Sequence, residues 1–151
     1  MRLAFALTLL AMLLACGRVG EAGLPRGKVT IAGTTVGVDV ARTPADRAQG
    51  LSGREGLAEG EGMLFLHEEP GQHGYWMKDM RFAIDILWIR AGRIVDTAHR
   101  VPPPAPGTPR SELRIYAPRS DADVVLEVPG GFARAHGWDV GVPVAIEVPD
   151  G

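Results

Sequence analysis

Short apolar or alternating runs follow one another closely along this chain, and most of them end at a glycine or a proline. Val36, Val38 and Val40 alternate with Gly37 and Asp39, which is the period-two pattern of a half-buried strand. Similar runs recur as GMLFL, IDILWI, RIVDTAHRV, ELRIYAP, VVLEVPG and VPVAIEVP. About seven to nine short strands at such spacing predict a mostly β fold, a sandwich or barrel, with two short helices.

Turn and cap residues predict how several of these runs are joined. Ala32-Gly33-Thr34 should close a hairpin between residues 28–31 and 35–40. Thr43, Pro44 and Asp46 form a capping-box pattern that should open a short helix, and Gly50 should end it.

Later in the chain, residues 62–66 should form a strand that is followed by a loop over 67–74. Residues 75–78 should pair with 84–89, and ELRIYAP should form a further strand. The proline-rich segment 102–109 cannot pair as a central strand, because proline has no N–H donor. Residues 131–136 should form one or two helical turns.

The N-terminus predicts export. Residues 1–15 have a positive start and an apolar run shorter than the roughly 20 residues of a membrane-spanning helix, as in a secretion signal. The run ends in LLAC, which resembles the bacterial lipobox, so Cys16 is the predicted lipidation site. Residues 16–27 then read as a flexible tether and 28–151 as one β-rich domain.

The single cysteine agrees with that interpretation, since a free thiol in an oxidising compartment would be a liability. We therefore expect a lipid-anchored protein of the cell envelope, on the outer membrane facing the periplasm if the cell is Gram-negative. The net charge is −2, whereas nucleic-acid-binding domains carry a basic surface, so we expect no nucleic-acid partner. We expect no cofactor. The expected partners are the membrane, through the lipid, and a small polar ligand, an envelope polymer or another protein.

One carboxylate interrupts the most apolar run of the chain. Asp85 shares a strand face with Leu87 and Ile89, and the alternate positions of the run are apolar as well. A strand of this kind is covered on both sides, where an ionised carboxylate costs several kcal/mol unless it is paired.

Three cations are candidates for pairing with Asp85. Lys78 is the nearest in sequence if residues 79–83 form a hairpin loop, and Arg54 and Arg114 are the others. Asp85 could also cap loop amides and fix the strand register.

Three blocks carry a family resemblance: RAQGLSGREGLAEGEGMLFLH, YWMKDMRFAIDILWI and VLEVPGGFARAHGWDVG. They resemble the prokaryotic family called domain of unknown function 192, whose pattern is GLM-x-R, GMLF, FWMKN with LDI, and VLE-x-x-G. The chain departs from this pattern at Ser52, Tyr75 and Asp79, where Met, Phe and Asn are usual. The resemblance spans about residues 36–148 and implies a compact jelly-roll-like sandwich without a settled activity.

The predicted site is a polar surface around Arg54, Trp76, Lys78 and Asp85 that binds a ligand without catalysing a reaction. One alternative is a hydrolase that uses Asp85 as an acid or base, with Lys78 or Arg54 stabilising negative charge.

A second alternative is periplasmic copper binding. His67, His73, Met77 and Met80 lie within fourteen residues of one another, and imidazole and thioether ligands suit copper. Methionine more often fills gaps in a core than binds a metal, so both interpretations of Met77 and Met80 stay open here.

Overall fold

The computed structural model describes residues 23–150, so the predicted signal peptide and Cys16 lie outside the described residues. This part of the chain forms nine strands, two α-helices and one 3₁₀ turn at Arg110–Glu112. The strands are β1 Arg26–Ile31, β2 Thr34–Ala41, β3 Glu61–Gly71, β4 Tyr75–Trp76, β5 Ile84–Arg90, β6 Arg93–Val101, β7 Ile115–Tyr116, β8 Ala122–Pro129 and β9 Val144–Glu147. The helices are α1 Pro44–Gln49 and α2 Phe132–Ala135. In the stretch from residue 23 to residue 150, no helix is long and apolar enough to cross a membrane.

Seven strands form one sheet in the order β6-β5-β8-β3-β2-β1-β9, and β4 and β7 form a separate two-stranded ribbon. All neighbours are antiparallel except β2 and β3, which run parallel and are joined through α1. The two ends of the sheet approach each other, since Arg93 at the start of β6 forms a bridge with Pro143, just before β9. The sheet is therefore curled into a half-barrel.

The predicted mostly β architecture is confirmed, and so are the hairpin and the first helix. Ala32 and Gly33 both have positive φ, 48° and 80°, as a tight turn between two twisted strands requires. Thr43 accepts a hydrogen bond from the Asp46 N–H, and the Asp46 carboxylate accepts one from the Thr43 N–H, which completes the capping box.

Four local predictions were wrong or incomplete. The strand predicted over 62–66 continues to Gly71, so His67 lies in β3 and not in a loop. The run 75–78 pairs as Tyr75–Trp76 with β7 and not with β5, because β5 already has β6 and β8 as neighbours. ELRIYAP forms only the two-residue strand β7. β1 begins at Arg26, two residues earlier than predicted.

Each face of the sheet carries its own apolar cluster. The inner face of the curl collects buried residues from all seven strands and is closed by α2 and Trp138. The outer face of β3, β5 and β8 carries a second cluster, which is covered by the segments around Leu51, Met77 and Met80 and by Tyr75 and Tyr116 of the ribbon. The central strands are thus buried on both sides, which confirms the expectation for β5.

Candidate functional site

Two buried carboxyl groups lie almost side by side in the centre of the sheet. Asp85 of β5 pairs in register with Val128 of β8, and the next residue, Ile86, pairs with Glu127. Because side chains alternate along a strand, Asp85 points to the inner face of the curl and Glu127 to the outer face. The exposed fraction is 0% for Asp85 and 5% for Glu127. Asp85 and Glu127 therefore lie on opposite faces of the sheet, and the third buried carboxylate of the described residues, Asp96 of β6, is paired with Arg119.

Backbone N–H groups surround the carboxylate of Asp85. Its Oδ1 accepts hydrogen bonds from the N–H of Arg100 at 2.7 Å and of Gly131 at 2.9 Å, and its Oδ2 accepts one from the N–H of Ala133 at 2.9 Å. Two of these donors belong to the first turn of α2, whose leading N–H groups have no partner within the helix. Asp85 therefore caps α2 from a neighbouring strand.

A β-bulge brings the third donor into place. Ile84 pairs with Val101 and Ile86 with Ala98, so two residues of β6, His99 and Arg100, stand opposite the single residue Asp85. Arg100 has φ 49°, a conformation that turns its N–H out of the regular ladder and towards the carboxylate. The bulge thus exists where the buried acid needs a donor.

The predicted ion pair of Asp85 with Lys78, Arg54 or Arg114 is wrong, although the expectation that Asp85 caps loop amides is confirmed. Lys78 Nζ lies 2.6 Å from an Asp79 carboxylate oxygen, and Arg54 Nη2 lies 2.8 Å from Asp39 Oδ2. The guanidinium of Arg114 stacks on the ring of Tyr116, 4.6 Å from its centroid.

Among residues 23–150, His99 supplies the one basic side-chain nitrogen within 4.0 Å of the Asp85 carboxylate, Nδ1 at 3.9 Å. The pairing with Lys78 fails because residues 75–76 join the ribbon, which carries Lys78 away from β5. Three N–H donors replace the cation that the sequence led us to expect.

Glu127 has the opposite environment. No side chain or backbone donor of the described residues forms a hydrogen bond or an ion pair with its carboxyl group. Its neighbours across the ladder, Met63 and Ile86, are apolar and fully buried. Burial without compensation raises the pKa of Glu127 to about 8, so its carboxyl group is mostly protonated at neutral pH.

A cleft of about 260 Å³ opens over Glu127. One wall is α1 and the turn that follows it, residues 47–52, and the other is formed by residues 73–76 and Met80. Phe65, His67 and Ile84 complete the lining with Glu127. The indole N–H of Trp88 donates to the carbonyl oxygen of His73 at 2.9 Å and so fixes the second wall to β5.

A group of polar aromatic side chains stands beside Glu127 in this cleft. The hydroxyl of Tyr75 lies 2.9 Å from His67 Nε2, and the rings of His67 and His73 stack with centroids 3.5 Å apart. Burial, assisted by His73 and Arg47, lowers the pKa of His67 to about 4, so His67 is neutral at pH 7. Burial and the nearby Glu127 raise the pKa of Tyr75, which keeps its hydroxyl protonated.

The candidate copper ligands come together only in part. His67, His73 and Met80 line the cleft over Glu127, whereas Met77 lines a different surface beside the proline-rich segment. His67 Nε2 and His73 Nε2 are engaged by the Tyr75 hydroxyl and by the Glu69 carbonyl. From residue 23 to residue 150, no group of three or more His, Cys, Asp or Glu side chains is arranged to hold a metal ion.

Of the four residues predicted to bind a ligand, Trp76 alone lines this cleft. Arg54 and Lys78 lie outside it, and Asp85 is buried on the other face of the sheet. Sequence reasoning missed Glu127, although VVLEVPG carries the same signal as IDILWI, a single acid inside an apolar strand. That signal finds buried acids, but it does not say which of them has partners.

Two solved structures have a similar fold. The chain is similar to a protein of unknown function from Novosphingobium aromaticivorans, with 28% identity and a TM-score of 0.72 over 83% of this chain and 89% of the other. It is also similar to a candidate transcription regulator from Sinorhizobium meliloti, with 26% identity and a TM-score of 0.72 over 84% of this chain and 98% of the other. No curated protein matches the sequence. The profile of one family, DUF192, described as Uncharacterized ACR, matches residues 27–146. The chain therefore belongs to the DUF192 family.

Proposed function

We propose that this protein is an exported, lipid-anchored binding module that takes a small ligand into the cleft over Glu127. The observation that carries the proposal is the unpartnered carboxyl group in the lining of that cleft. A buried polar group without a partner costs free energy, and a ligand that supplies the partner recovers it. The predicted contact at Trp76 is retained, because this side chain lines the same cleft.

The cleft over Glu127 is better suited to bind a ligand than the predicted surface around Asp85. The carboxylate of Asp85 has three donors and no exposed area, so a ligand would have to displace α2 in order to reach it. Arg54 and Lys78 each have an acidic partner near the surface. Glu127 combines burial, an open cleft and the absence of a partner among residues 23–150.

A thermal-shift screen of the full chain in a mild detergent tests the binding function. The panel should contain small cationic, neutral and anionic compounds, since a cleft of about 260 Å³ accepts only compact ligands. We expect at least one class to raise the melting temperature, by the linkage between binding and stability. The matched variant is Ala48→Trp, which places a large ring at an exposed helix position that lines the cleft. It should abolish the shift and leave the melting temperature without ligand unchanged. A panel without any shift would refute the proposal.

Export and anchoring are supported by the apolar run 1–15, the LLAC sequence and the absence of any second cysteine in the chain. The test is incorporation of radiolabelled palmitate by the full chain in a bacterial host. Label in the wild type and none in Cys16→Ser is the expected result. Equal label in both chains, or none in either, would contradict the anchor.

A second candidate function is acid–base catalysis by Glu127. The hydrolase alternative then uses Glu127 as its acid or base in place of Asp85, which lies on the other face of the sheet. The raised pKa of Glu127 and the neighbouring Tyr75–His67 hydrogen bond are the observations that favour it. Glu127 is the single carboxyl group among the described residues that line the cleft, so the paired acids of a glycosidase are not present there. Hydrolysis of a chromogenic ester that disappears in Glu127→Gln would support this candidate.

A further inference from the structure

We infer that the cleft over Glu127 selects a compact organic cation, with an ammonium or guanidinium head that pairs with the Glu127 carboxylate. This inference rests on the proposed binding function and deepens it by naming the class of ligand. Three features support it: the missing counter-charge, the aromatic walls and the size of the cleft.

The first feature is charge. A carboxylate that is 95% buried requires a cation or several N–H donors, as Asp85 shows on the opposite face of the sheet. Within residues 23–150, Glu127 has neither. Its two oxygen atoms therefore remain available to accept hydrogen bonds from a ligand, and a cationic donor forms the strongest such bonds.

Among the described residues that line the cleft, Arg47 has the one arginine or lysine side chain that could compete with a ligand cation for Glu127. Its Nη1 donates to the carbonyl oxygens of Arg42 and Leu66, and these bonds hold the guanidinium at the edge of β3. It forms no ion pair with Glu127. Arg47 thus contributes to the wall and leaves the carboxyl group unpaired.

The second feature is the aromatic character of the walls. Phe65, Tyr75 and Trp76 line the cleft together with the stacked pair His67 and His73. The faces of such rings attract cations, and the attraction is stronger where water is excluded. Trp76 already holds one guanidinium in this way, that of Arg110, 4.7 Å from the ring centroid.

The third feature is size. The cleft volume of about 260 Å³ lies just below the range for small-molecule sites, which begins at about 300 Å³. A head group with a short carbon chain or a single ring fits this space, whereas a polymer segment would have to remain mostly outside.

Binding of a cation should release the proton that Glu127 holds. Without a ligand, Glu127 holds a proton at neutral pH, because burial raises its pKa to about 8. A cation that binds the ionised form must displace this proton, so its affinity should increase about tenfold between pH 6 and pH 7. The other titratable groups that face the cleft are Arg47 from α1, His67 from β3, and His73 and Tyr75 from the second wall, with Asp123 acting on His67.

Isothermal titration of the full chain in a mild detergent tests the inference with three probes of similar shape: phenethylammonium, 2-phenylethanol and 3-phenylpropionate. We expect phenethylammonium to bind at least about tenfold more tightly than the other two, and to release close to one proton per molecule bound at pH 6.5. Titration in two buffers of different ionisation enthalpy measures that proton.

Two variants separate the role of Glu127 from that of the cleft. Glu127→Gln keeps the shape and should remove both the preference for the cation and the proton release, while it keeps the binding of 2-phenylethanol. Glu68→Gln, which makes the same change at an exposed position of β3, should behave as the wild type. Proton release that persists in Glu127→Gln would show that another titratable group of the cleft supplies the proton, and it would overturn the pairing with Glu127.

The outcomes are distinguishable. Tighter binding of 2-phenylethanol or 3-phenylpropionate in the wild type would overturn the cation inference and leave the binding function standing. Cation binding that is unchanged in Glu127→Gln would overturn it as well. If none of the three probes binds, the cation inference fails. The binding function fails with it only if the full panel of compounds also produces no thermal shift.

Discussion

Replacement of Asp85 by asparagine keeps the shape of the side chain and removes one of its two acceptor atoms. The amide oxygen can still accept from the N–H groups of Arg100 and Gly131, but the NH₂ group then faces the N–H of Ala133. The variant loses one hydrogen bond to a charged acceptor, and two N–H donors face each other in the buried core.

The loss of one charge-assisted bond alone predicts a destabilisation of about 2–3 kcal/mol for Asp85→Asn. Asp85→Ala leaves all three N–H groups without a partner and should cost about 3–5 kcal/mol. For a domain of this size, the asparagine variant should lower the melting temperature by roughly 8–12 °C.

Urea denaturation of the full chain, followed by tryptophan fluorescence, gives the free energy of unfolding for each variant. Asp123→Asn is the matched control, because it makes the same chemical change in a partly exposed ion pair with Arg90. The control should lose less than about 1 kcal/mol. If Asp85→Asn unfolds at the same urea concentration as the wild type, the carboxylate does not stabilise α2 and the reasoning is wrong.

Three further predictions concern the acid in the cleft, a glycine at the helix and the metal alternative. Between about pH 6.5 and pH 8 the wild type should lose about 2 kcal/mol of stability, because folded Glu127, with a pKa of about 8, keeps a proton that the unfolded chain releases. Glu127→Gln should show no such loss, and the window avoids His67, whose pKa of about 4 gives the opposite slope at pH values below 6.5. Gly130→Ala should destabilise the fold more than Gly56→Ala: neither residue has positive φ, but only the first Cβ would meet another group, the backbone of Ala83 at 3.0 Å. The difference in urea midpoint between the two variants measures that contact. Copper at a twofold excess should leave the melting temperature unchanged, and a rise that is abolished in His67→Ala would restore the copper alternative.

Local patterns predicted most of the fold. The alternation in 36–40, the capping box at Thr43 and the turn at Ala32-Gly33 each depend on neighbouring residues, and all three agree with the structure. The partner of residues 75–76 could not be predicted in this way. Strand pairing between distant segments is decided by which edges remain free, and β6 and β8 already occupy both edges of β5.

Asp85 and Glu127 illustrate the same limit for the site. The position of Asp85 within an apolar strand correctly predicts a buried group that needs partners. The identity of the partners depends on a bulge in β6 and on the start of α2, neither of which leaves a clear pattern near Asp85 in the sequence. For Glu127, the missing information is that no hydrogen-bond donor or cation of the described residues pairs with its carboxyl group.

The contacts of Asp85 also bear on how the chain avoids misfolded alignments. A slip of β5 by one residue against β8 would turn the Asp85 side chain to the opposite side of the sheet. The three N–H groups would stay behind, and the acid would enter a second apolar layer next to Glu127. Such a misaligned state would bury two uncompensated acids close together, which costs several kcal/mol. Asp85 therefore widens the free-energy gap between the correct strand alignment and its nearest competitor, a contribution that equilibrium unfolding does not measure and that the yield of correctly refolded protein would reveal.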